Sequence, residues 1–334
     1  MSSHGHPHHG ATRPGRSDFP VVPIVRFDLL RGSPRNAVIP RGTFQAGTLA
    51  ALFAFLAFGQ LLSGSTATTA ACAFILLLGL PHGSLDLEII RRERRMGGLA
   101  MGVLLLIYLG LAGAMVAVWQ LAPVAALSIF LIVAVVHFAE DWRELKTNFL
   151  AQGMAIALLA APTLLHLAEL ERLFEVLSGQ REGALLASFL LLLAPMSVAV
   201  AGVSVWALWR TGFRDQALAG AMMLVGTILL PPVIGFAVYF CCYHSPRHLG
   251  GALSRVDSPT RSRWIILLVT LAALGIAAAM FADEVRADLP AQAVAASFMT
   301  LSLLTVPHMI VPALADALAA WRLRAVGGRE PAVA

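Results

Sequence analysis

Residues 227–251 read TILLPPVIGFAVYFCCYHSPRHLGG. Between Val233 and Tyr243 this stretch carries no charge, and it ends on His244 and His248, two imidazoles spaced by one helical turn. Proline starts a helix well and interrupts one badly, so Pro231–Pro232 predicts a turn between two short spans rather than a kink in one long span. Two rings at i and i+4 face the same side of a helix and can bind one ion. A membrane helix that closes on paired imidazoles sets the two questions for the rest of the chain. How many such spans are there, and what do the histidines meet?

The 334 residues are 58% hydrophobic and 13% charged, with a mean hydropathy of +0.78. A soluble domain carries roughly 25% charged residues, and apolar runs of about 20 residues recur here along nearly the whole length. Lipid offers no solvent to an open backbone, so the fold class is all-α, a polytopic membrane bundle. Spans are expected near 44–62, 67–90, 98–119, 124–142, 149–166, 184–209, 216–230, 232–248, 263–282 and 293–321, about ten in all, with 167–178 as a short amphipathic helix on the outer face.

Loop charge orients the spans. RRERR (91–95), DWRELK (141–146), WRTGFRD (209–215), the 245–263 loop and the final WRLRAVGGR are basic, whereas the alternate loops are neutral or acidic. That alternation puts both termini in the cytoplasm and the protein in the cell (inner) membrane, multi-pass. It also accounts for the net charge of +5 without a nucleic-acid partner. Residues 1–42, rich in Pro, Gly, Arg and His (His4, His6, His8, His9), read as a disordered cytoplasmic tail. Residues 43–322 are expected to form the membrane domain and 323–334 a second cytoplasmic tail. Cys72, Cys241 and Cys242 lie in apolar runs without CxxC spacing and read as small buried residues, not a disulfide framework.

Six histidines remain beyond the tail. His166 sits at an outer helix end and is read as structural. His82, His137, His244, His248 and His308 each fall 12–16 residues from the outer end of their span, roughly 18–24 Å at 1.5 Å per residue, on four helices running in the same direction. Polar groups in the bilayer are expensive, and five at one depth point to a shared metal site. Asp86 and Asp141 follow His82 and His137 by four residues, and Asp316 lies two turns beyond His308, so these carboxylates are candidates to orient the rings or to ligate. Pro81, Gly83 and Pro307 adjoin the histidines and suit a packed site or ordinary kinks. Arg247 points to another face and reads as a cytoplasmic anchor. Neutral imidazoles suit iron, copper, zinc or nickel, and the donor type alone does not choose among them.

PHGSLD (81–86), HFAEDW (137–142), YFCCYHSPRH (239–248) and TVPHMIV (305–311) resemble, in order and context, the four histidine motifs of the Brp/Blh family of carotenoid oxygenases. The resemblance runs from about 75 to 320 and leaves out the N-terminal tail. It implies a membrane enzyme that splits β-carotene at its central double bond with O₂ to give two retinals. It further implies non-haem Fe(II) held by His82, His137, His244 and His248, with His308 as a further ligand or a neighbour. Tyr243 stands where the family pattern leads one to expect Trp. Phe138, Trp142, Tyr239, Phe240, Tyr243 and Phe298 are candidates to line a substrate tunnel whose length fixes the cut. The substrate is dissolved in membrane lipid, and a retinal-binding opsin is an expected recipient of the product. The alternative is a metal-ion or proton transporter using the same histidines; a di-iron hydroxylase needs about eight histidines in clusters, which this chain lacks.

Overall fold

In the computed structural model, residues 64–94, 96–256, 258–281 and 289–327 are described. The expected span at 44–62, the acidic loop at 282–288 and both chain ends lie outside them. Every regular element among the described residues is a helix. In chain order these are α1 (Ser65–Phe74), α2 (Asp86–Glu93), α3 (Gly98–Leu121), α4 (Pro123–Ala139), α5 (Asn148–Ala160), α6 (Thr163–Ser178), α7 (Ala184–Arg210), α8 (Arg214–Leu229), α9 (Pro232–Tyr239), α10 (Ser245–Leu253), α11 (Pro259–Phe281) and α12 (Leu289–Gly327).

Gly98–Leu121, Pro123–Trp142, Arg181–Arg210 and Pro290–Ala319 are long and apolar enough to cross a bilayer. The pair α5 and α6, bent by 66°, makes a fifth if it counts as one broken span. Leu106, Ile132, Leu192 and Met196 are exposed on these helices, as lipid-facing positions are. Burial separates a central helix from a peripheral one: 78% of the apolar window of α12 is buried, against 11% for α3. α12 packs on α1, α3, α4 and α11, while α5 and α6 pack on α7.

Two expected spans are broken, each at a proline. The span expected at 149–166 stops at Ala160, and the chain turns through Ala161 and Pro162 into α6; Pro162 has no N–H to continue the first helix and caps the start of the second. His166 then leaves helical geometry (φ −127°, ψ 31°), and its Nε2 contacts the Leu229 carbonyl at 3.2 Å, consistent with a structural role. The apolar face of α6 (Leu170, Leu173, Phe174 and Leu177) is turned into the protein rather than spread on a surface. The break before α9 falls where Pro231–Pro232 predicts, with Leu230 and Pro231 extended.

The span expected at 67–90 is not one helix either. α1 loosens into a π turn at Ile75–Gly79 and then a 3-10 turn at Leu80–Gly83. Pro81 has no N–H to offer the Leu77 carbonyl, so the regular ladder loses a bond there. Two neighbouring carbonyls, of Leu78 and Gly79, instead accept the Ser245 hydroxyl at 2.9 Å each. Ser245 follows a second π turn, Phe240–His244. Two loosened turns therefore meet, one on each side of the histidines, and π turns recur at functional sites.

Only glycine fits where they touch. A Cβ on Gly79 would lie 2.3 Å from Cε1 of Phe240, whose ring stacks on His244. Gly79→Ala must displace that ring, and overpacking of this kind costs about 1–3 kcal/mol. Thermal denaturation in detergent is expected to show a lowered Tm.

Candidate metal centre

His137 projects from the last turn of α4, His244 closes the π turn after α9, and His248 sits in α10. All three are buried. Phe138 of α4 meets Phe236 and Tyr239 of α9, and the rings come together: the His137 and His244 centroids are 4.6 Å apart and edge to face, His137 and His248 5.0 Å and His244 and His248 4.4 Å apart and tilted. One nitrogen from each lies within 4.8 Å of the others, a grouping that could hold a metal ion. Nε2 of His137 and Nε2 of His244 are 3.1 Å apart. Two nitrogens bound to one ion at about 2.0–2.1 Å, at right or tetrahedral angles, stand about 2.8–3.4 Å from each other. The observed gap suits a shared ion, and a donor set of imidazoles with a carboxylate behind them suits divalent iron, zinc, copper or nickel.

The carboxylate is Asp141, in the 3-10 turn Glu140–Trp142 that ends α4. Its Oδ2 lies 2.9 Å from Nδ1 of His244 and accepts the Tyr239 hydroxyl at 2.7 Å, and its Oδ1 is 3.3 Å from Nε2 of His248. If each ring donates to this carboxylate, His244 presents Nε2 and His248 presents Nδ1 as lone pairs. A carboxylate that takes the outer N–H fixes the tautomer and raises the basicity of a metal-binding imidazole. The sequence spacing ties Asp141 to His137; in three dimensions it serves the paired histidines instead. Tyr239, expected along a tunnel, is turned to this carboxylate. Tyr239→Phe keeps the ring and removes only the donor, and is expected to weaken metal binding by about tenfold, read by chelator competition.

His308 stands beside this group, its ring 4.9 Å from that of His137. Its Nδ1 contacts Oδ2 of Asp86 at 2.5 Å, so Asp86 reaches across helices to His308. A Cβ on Gly83 would lie 2.9 Å from Nδ1 of His308, so the PHG turn approaches this ring as only glycine allows. The main chain of His82 lies in that same 3-10 turn; its side chain is outside the described residues. Asp316 does not serve His308. It pairs with Arg94, because α12 carries it on to the basic loop after α2.

The aromatic candidates divide. Phe138 and Phe240 pack on His244, with centroids at 5.0 and 5.3 Å. Phe298 is 5.1 Å from Phe236, a residue the sequence reading passed over, and Phe236 stacks on Phe240 at 5.3 Å. Trp142 and Tyr243 stack on each other and are buried, filling space behind the centre. Arg247 is no free anchor: it donates to the Tyr243 hydroxyl at 2.6 Å and reaches Glu144 at 3.4 Å, clasping the α4–α5 loop to α10. Glu140, also unforeseen, has Oε2 3.9 Å from Nδ1 of His137. Its i+3 spacing from His137 within HFAEDW was the available signal. All three cysteines are free.

The pattern of a protein family described as Beta-carotene 15,15'-dioxygenase matches residues 73–316, which contain all five histidines. A protein of the uncultured marine bacterium 66A03 named Beta-carotene 15,15'-dioxygenase is 30% identical over 261 aligned positions, which cover 72% of this chain and 91% of that protein. No solved structure matches. With the motifs in order, and a match that covers well over half of the sequence, the chain belongs to the β-carotene 15,15′-dioxygenase family.

Proposed function

We propose that the protein cleaves β-carotene at its central 15,15′ double bond with dioxygen, forming two molecules of retinal at a non-haem iron(II) centre. The observation that carries this reading is the convergence of His137, His244 and His248 on one buried point, backed by Asp141 and walled by aromatic rings. His82 and His308 complete the set as a fourth ligand and a neighbour or further ligand. The chemistry balances without a reductant: one C=C and one O=O are consumed and two C=O bonds form.

Iron bound here would supply activation of dioxygen next to the polyene. The protein's own residues do the rest. Asp141 holds the tautomers of His244 and His248, and Asp86 holds the ring of His308. Phe138 and Phe240 keep water from the rings and present flat apolar faces to a conjugated chain. A C40 hydrocarbon is insoluble in water, so a helical membrane enzyme receives it laterally from lipid. In this reading the domain 43–322 spans the cytoplasmic membrane about ten times, and the tails 1–42 and 323–334 lie in the cytoplasm. An opsin is the kind of partner that would take up the retinal.

The test is expression in cells that make β-carotene. Bleaching with retinal in the extract, identified by chromatography, is the expected result. Cells that stay orange and contain no aldehyde would rule the activity out.

A further inference from the structure

We propose that the apolar pocket between α4 and α6 holds one arm of the carotenoid, and that α6 is the stop that centres the scissile bond on the histidines. This rests on the activity proposed above and adds to it the device that chooses the bond. The pocket encloses about 50 Å³ of accessible space, and every side chain lining it is apolar.

Its position relative to the metal centre follows from α4. Ala134 lines the pocket three residues before His137, and Leu127 lines it ten residues before. At 1.5 Å per residue the pocket therefore begins about 4.5 Å from His137 along the helix axis and extends to about 15 Å. It is a slot whose lining comes within one helical turn of His137 and leads away from the centre. Two of the aromatic rings that line it, Phe298 and Phe236, are 5.1 Å apart. Behind them Phe236 stacks on Phe240 and Phe240 on His244, both at 5.3 Å, so the wall of the slot and the histidines belong to one packed column of rings.

The far end belongs to α6. α5 begins shortly after Trp142, beside the centre, and runs 13 residues, about 20 Å, before the bend at Pro162. α6 thus starts at the opposite end of the bundle. It lays Leu170, Leu173, Phe174 and Leu177 against the pocket, at i, i+3, i+4 and i+7, with Glu169, Glu171, Arg172 and Glu175 between them on its other faces. An amphipathic helix folded back by a 66° bend is a lid over the slot. Continuity with the histidine centre through Phe236 and Phe240 favours the substrate over a lipid acyl chain as occupant.

Two variants of the full chain, purified with iron and incubated with β-carotene, test this. Phe174→Ala lengthens the slot, so the chain slides toward α6 and a pair of unequal apocarotenals appears beside retinal, each cut still consuming one O₂. Leu173→Trp shortens the slot, and retinal formation falls roughly ten- to a hundredfold with iron content unchanged, the scale of overpacking effects. Retinal as the sole product of Phe174→Ala, or wild-type turnover in Leu173→Trp, overturns the proposal while leaving the activity intact. A wild-type protein that makes no aldehyde at all overturns the activity itself.

Discussion

Purified His244→Ala protein is expected to carry no stoichiometric iron and to form no retinal above background. The ring of His244 is the one that touches everything at the centre: Nε2 faces His137 at 3.1 Å, Nδ1 faces Asp141 at 2.9 Å, and its faces pack on Phe138 and Phe240. Deleting it removes a ligand and leaves the Asp141 carboxylate short of a donor in a buried place, a loss of about 1–3 kcal/mol or more for a charged group. The cavity adds a further destabilisation of similar size, so Tm must be measured alongside. A folded variant that keeps full iron occupancy would show that the ion sits elsewhere. A folded variant without iron, still sharp on size exclusion, separates loss of the centre from loss of the fold.

Asp141→Asn is expected to come close to that result without touching a ligand. The amide keeps the shape but offers one acceptor oxygen where the carboxylate has two, and its NH₂ meets an N–H donor head-on. Both His244 and His248 lean on this group, as does the Tyr239 hydroxyl. Loss of a group that orients one metal-bound histidine costs about 10–100-fold in metal affinity or activity. Two rings released together put the expected effect at or above the upper end of that range. Iron affinity by chelator competition and retinal formation at saturating iron are the two measurements. Wild-type values in both would reduce Asp141 to packing.

The order in which effects rank also explains what the sequence could and could not reveal. The apolar runs, the break at Pro231–Pro232 and the histidine motifs are local, and they read directly from spacing and composition. Partnerships between carboxylates and histidines are not local. Asp86 follows His82 by one turn yet reaches His308, and Asp141 follows His137 by one turn yet serves His244 and His248. Spacing along one helix reports neighbours on that helix, whereas these pairs are set by which helices pack together. Asp316 fails for the same reason, since the chain carries it to Arg94. The breaks in the expected spans at Pro81 and Pro162 were signalled by the prolines, but whether a proline kinks or ends a span depends on what satisfies the freed carbonyls. Ser245, far away in sequence, does so for Leu78 and Gly79. Phe236 shows no polar signal at all, and only the shape around it gives it a role.

The wide turn at Phe240–His244 has a consequence for how such a chain can change. It holds one residue more than regular winding would need, so deleting one of the four before His244 would let the ladder close normally while the helices on either side keep their phase. Hydropathy along the segment would hardly alter. A chain of this kind could therefore shorten by one codon here with His248 still facing inward, whereas the same deletion in the regular winding just before His248 would turn every later residue by about 100° around the axis.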